Sequence, residues 1–160
     1  MDWIIPVRWL HVFAASAWFG EVVVINFILV PALTRFQGEA RKQFLATVFP
    51  KVFRLASVLS GTTAITGGVL LWRYTGGSLS ALGGSRWGTC LTIGACMGLV
   101  LTLFHFFMED KLARRVGIGC PDTSMDTVND VHAKLTLIPR LGLGVIATIF
   151  FLMMYAVRGA

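Results

Sequence analysis

The amino-acid sequence predicts an all-α integral membrane protein, a bundle of four transmembrane helices in which residues 1–160 form one domain. Three observations carry this. The chain is 56% hydrophobic and only 14% charged, with a mean hydropathy of +0.74, a balance no water-soluble fold can hide in its interior. Four apolar segments are each long enough to cross a hydrocarbon core about 30 Å thick, which takes roughly 20 helical residues. Basic residues also fall unevenly on the connections between them.

The first span is expected over 4–32. Ala15-Ser16-Ala17 has the look of a signal-peptidase site, but Asp2 spoils the basic start and the apolar run continues through Val30. The segment is therefore read as a retained span. The connection TRFQGEARKQFLATVFPK alternates charge with Phe36, Phe44, Leu45, Val48 and Phe49 at helical spacing, which predicts a helical extension lying at the headgroups. Pro50 marks a kink or boundary before the second span, 53–74. The Gly/Ser-rich stretch YTGGSLSALGGSR reads as a flexible link to the third span, 87–108. The connection EDKLARRVGIGCPDTSMDTVND follows, and its Asp122, Asp126 and Asp130 either hold a cation or, more simply, read as an acidic helix start before the fourth span, 133–157.

Arg35, Arg41, Lys42, Lys51, Arg54, Lys111, Arg114 and Arg115 flank one pair of connections, against Arg8, Arg73, Arg86 and Arg158 on the other side. The positive-inside rule then puts both termini outside, in a bacterial-type inner membrane. The net charge of +6 is accounted for by this topology and by contact with anionic lipid, and no nucleic-acid partner is expected. Cys90, Cys96 and Cys120 form no CxxC pair and no disulfide framework.

Ionisable groups at membrane depth are costly, so they face the bundle interior and mark function. Here they are His11, Glu21, His105, His132, Lys134 and Arg140. At 100° per residue His11, Ala15 and Trp18 share one face of span one, with Glu21 and Asn26 on its two flanks. Gly94, Gly98, Thr102 and His105 share a face of span three, giving a smooth groove that suits a flat macrocycle or, equally, a close helix contact. His132, Thr136, Pro139, Leu143 and Ala147 form a stripe on span four with Arg140 at its edge, while Lys134 points away and snorkels. His105 ends span three and His132 opens span four, so a short hairpin brings both to one depth, as axial ligands of haem b require. His11, roughly 20 Å away by helix rise, is left either to a second cofactor or metal, with Met153 or Met154, or to a structural role. Glu21 and Arg140 are expected to meet as a buried ion pair; the alternative sends Arg140 to a haem propionate or a lipid phosphate.

The segments HVFAASAWFG, KVFRLASVLSGTTAITGGVLLW, TLFHFFMEDKLARR and VNDV give the chain a resemblance, over nearly its whole length, to the HemJ-type protoporphyrinogen IX oxidase family and the related copper-resistance D (CopD) membrane proteins. The resemblance implies haem b and porphyrin chemistry, with His11, Trp18 seven residues on, and His105 matching the family's positions. It departs at the end of span one, NFILVPALTRF, where the family carries Pro-Arg and a His, and at the opening of span three, which lacks Ala-Lys-Leu. His132 would stand in depth for the missing His. The expected function is a haem-b membrane protein in electron transfer or porphyrin redox chemistry. The rivals are a copper-handling protein, for which His11, Met97, Met153 and Met154 are suitable ligands, and a non-catalytic subunit of a respiratory complex. Partners in view are the bilayer, a quinone or redox protein, and further copies of the chain.

Overall fold

A computed structural model of the chain describes residues 3–116 and 125–158. Among them every regular element is helical: α1 (Ile4–Val24), a π turn (Ile25–Leu29), α2 (Val30–Arg35), α3 (Gly38–Thr75), a 3-10 turn (Leu79–Leu82), α4 (Arg86–Val116) and α5 (Met125–Arg158). Four helices are long and apolar enough to cross a membrane: Ile4–Arg35, Gly38–Thr75, Arg86–Met108 and Thr136–Ala156. α1 packs on α3, α3 on α4, α4 on α5, and α5 returns to α1, so the four close a ring.

The first helix is continuous through an irregularity. Pro31 has no N–H and its ring would press on the carbonyl four residues back, so the chain widens to a π turn immediately before it. After Arg35 the chain reverses over Phe36 and Gln37, and Gly38 takes a φ of +52° that side chains resist. The extension after this turn is continuous with the second span rather than a separate surface helix: α3 runs 38 residues with Pro50 inside it. The reason is packing. Leu45, Phe49 and Phe53 lie one turn apart on α3 and are buried with Leu33, with Leu29 and Phe44 closing over them.

The connection 76–85, expected as a flexible link, is a built turn. Gly76 ends α3 in the left-handed conformation, φ +59°. Ser85 caps α4 by accepting the Gly88 amide at 3.0 Å. Gly88 sits directly on the Leu82 carbonyl, where no Cβ fits.

The bundle centre is a second cluster: Trp18 and Val22 from α1, Leu101 from α4 and Ile146 from α5. The buried stripe of α5 includes Pro139, Ile146 and Ala156. The expected stripe thus holds at Pro139 but not at Ala147, which is exposed beside buried Ile146.

Candidate functional site

Four of the expected polar residues, Trp18, Glu21, Thr102 and His105, are drawn into the interior of the bundle. On α1, Trp18 (3% exposed) and Glu21 (9%) lie one turn apart; on α4, His105 (7%) lies one turn from buried Leu101 and beside buried Thr102. The Trp18 and His105 rings meet edge to face with centroids 5.5 Å apart, and Phe104 flanks the imidazole at 6.4 Å. His105 Nδ1 donates to the Leu101 carbonyl at 3.1 Å. A carbonyl only accepts, so the proton is on Nδ1 and the lone pair on Nε2.

His11 is held the same way from another helix. Its Nδ1 donates to the Thr63 carbonyl at 3.0 Å and to Thr66 Oγ1 at 3.1 Å. The Thr66 hydroxyl spends its own proton on the Thr62 carbonyl at 2.6 Å, so it can accept. The ring rests on Gly67, where a Cβ would come within 3.0 Å of His11 Cε1. In the sequence, GTTAITGG carries no signal for this seat beyond its place in a longer resemblance; its threonines and glycine form the seat only where α1 packs on α3.

The expected pairing of His105 with His132 falls on a residue whose side chain lies outside the described ones, and the helix register gives the level of the two backbones alone. Gly94 abuts Met153, and seven residues further along α4 and seven back along α5, Leu101 and Ile146 share a cluster. Four more in each direction set Gly142 opposite His105. His132 then lies about 15 Å further along α5, beyond Pro139, and its side chain is outside the described residues. His11 is closer to His105 in depth than expected: Trp18, which touches His105, is seven residues from His11, about 10 Å of rise.

The groove expected at Gly94 and Gly98 divides in two. Gly94 receives the Met153 methyl, 2.8 Å from where its Cβ would stand, so it is a close helix contact; Gly98 has nothing within 4 Å.

The Glu21–Arg140 ion pair is not formed. Both Glu21 carboxyl oxygens are buried with no side-chain partner and no well-formed hydrogen bond, the Ala56 backbone being the polar group that acts on them. Arg140 is exposed. It follows buried Pro139 by one residue, a turn of 100° that carries it off the inward stripe. Lys134 is exposed as expected. Trp18 Nε1 is a further buried atom without a partner. The polar link between α1 and α5 runs instead through Asn26, whose Nδ2 donates to the Val22 carbonyl at 2.8 Å and the Pro139 carbonyl at 2.9 Å.

Among the described residues no group of three or more His, Cys, Asp or Glu side chains is placed to hold a metal ion. Cys120 and Asp122 lie outside those residues, as do the side chains of Asp126 and Asp130. Neither a family model, nor a curated protein, nor a solved structure matches the chain.

Proposed function

We propose that this multi-pass membrane protein binds haem b and works in electron transfer or porphyrin redox chemistry, with His11 as the iron ligand and the enclosed His105 as the alternative position for it. The observation that supports the reading is the common state of the two imidazoles. Each donates Nδ1–H to a backbone carbonyl and so carries its lone pair on Nε2, the tautomer and orientation that metal-bound histidines use. His11 takes the first place because it is only half-buried, leaving one side of the ring open, whereas His105 is enclosed.

Bound haem would supply reversible one-electron exchange at iron. The chain's own contribution is orientation. The Thr63 and Leu101 carbonyls fix the two tautomers, Gly67 sets the depth of the His11 ring, and Trp18 blocks rotation of His105. With no second described imidazole facing either ring, the reading favours single-histidine ligation within one chain over the paired low-spin arrangement. The proposed topology places both termini outside and the basic connections on the cytoplasmic side, where an electron-transfer partner would approach.

The test is the absorption spectrum and haem content of protein purified from a haem-sufficient host. A Soret band lost or shifted in His11→Ala supports the reading. Protein without haem sinks it, as does unchanged haem content and spectrum in both His11→Ala and His105→Ala; bound copper without haem would favour the copper rival.

A further inference from the structure

Between α3 and α4 an open groove of about 380 Å³ is lined by Arg54, Ser57, Val58, Gly61, Thr62, Ile65 and Phe106. All but Phe106 come from one face of α3, recurring every three or four residues. The groove therefore runs along the helix for about 16 Å, the rise from Arg54 to Ile65. Arg54 closes one end, Thr62 and the buried Ser57 are the other polar residues of the lining, and the rest is apolar. The Thr62 hydroxyl is turned back onto the Val58 carbonyl at 2.8 Å and presents its methyl group. Gly61 leaves the floor low, with Phe106 Cζ 3.6 Å from where its Cβ would stand.

The level of Arg54 follows from the same contact. Gly61 faces Phe106, and seven residues back on α3 correspond to seven forward on α4, which sets Arg54 level with Ala113. This is inside the charged run EDKLARR of Glu109–Arg115, so Arg54 stands at the edge of the apolar layer. From there the groove reaches inward by about half of a 30 Å hydrocarbon core, the depth of one leaflet. A cation at headgroup level above an apolar trough one leaflet long has the dimensions and charge of a single anionic phospholipid.

We propose that this groove is a binding site for an anionic phospholipid of the leaflet on the basic side, its phosphate on the Arg54 guanidinium and one acyl chain along Val58, Gly61, Ile65 and Phe106. The guanidinium fork matches phosphate oxygens in pairs. The inference is independent of the haem reading, since none of these residues holds an imidazole.

The test is native mass spectrometry of the full chain released from nanodiscs of equal phosphatidylglycerol and phosphatidylcholine. The wild type should retain phosphatidylglycerol over phosphatidylcholine by more than the disc ratio. Arg54→Gln should cut that preference by roughly fivefold, the factor one basic residue contributes at an anionic surface. Gly61→Leu, which fills the trough and leaves Arg54 in place, should lower retention of both lipids. Lys51→Gln, at an exposed position outside the groove, should leave the preference unchanged. Absence of enrichment in the wild type, or equal losses in Arg54→Gln and Lys51→Gln, would overturn the proposal, because either result reduces the effect to general surface charge.

Discussion

The side-chain amide of Asn26 donates to the Pro139 carbonyl at 2.9 Å, tying the π turn of the first long apolar helix to the proline of the last. Both ends of this bond are helix irregularities. Its second proton goes to the Val22 carbonyl, at the point where the first helix widens. One amide thus satisfies a carbonyl on each of two helices.

Asn26→Leu removes both donations without shortening the side chain. An interhelical hydrogen bond in a membrane protein contributes about 0.6–2 kcal/mol, so the variant should lose about that much stability in a mixed-micelle unfolding titration. Asn26→Gln, which keeps the amide on a longer stem, should recover part of it. Full stability in Asn26→Leu would show that the bond is incidental.

Gly67 and Gly68 are neighbours with opposite expectations. Gly67→Ala places a methyl group 3.0 Å from His11 Cε1, so the ring, held on Thr63, must yield by a few tenths of an ångström. Gly68 has nothing within 4 Å, so Gly68→Ala should be neutral or stabilising by up to about 1 kcal/mol from helix propensity. Gly67→Ala should cost about 1–3 kcal/mol, the range for overpacking, and should disturb any cofactor spectrum that depends on His11. Equal thermal stabilities for the two variants would contradict the seat described for His11.

Gly94 makes a milder case. The atom that its Cβ would meet is Met153 Cε, the far end of a flexible side chain that can rotate away. Gly94→Ala should cost less than about 1 kcal/mol, and Met153→Ala in the same chain should abolish that cost. A double-mutant cycle reads the coupling directly; strict additivity would mean that the two helices do not meet there.

How much of this was legible in the sequence depends on which force set each feature. The four spans and the inward faces of Trp18, Glu21, Gly94 and His105 follow from apolar length and the 3.6-residue period. The depth of His105 relative to His132 does not. The apolar run ends near Met108, but α4 continues to Val116 and α5 begins at Met125, because backbone hydrogen bonds carry a helix past the point where its side chains turn polar. A hairpin counted from the apolar ends therefore places the turn earlier than the helices do, and the depth it assigns to His132 rests on that shorter count. Likewise a charge within a span implies an inward partner for Arg140, whereas a single 100° step from buried Pro139 decides its direction.

Glu21 provides the last prediction. Its carboxyl is buried with neither oxygen hydrogen-bonded, a condition that costs stability, since an unsatisfied buried polar group forfeits about 1–3 kcal/mol of solvation. Replacing it by an apolar side chain of similar size should therefore stabilise the bundle, and Glu21→Leu should unfold later by about that amount. Arg140→Gln should have little effect at an exposed position, and the two changes together should add, because no pair joins them. Loss of stability in Glu21→Leu, or a coupling above about 1 kcal/mol with Arg140→Gln, would mean that the carboxyl has a partner in the membrane and that Arg140 turns inward to meet it.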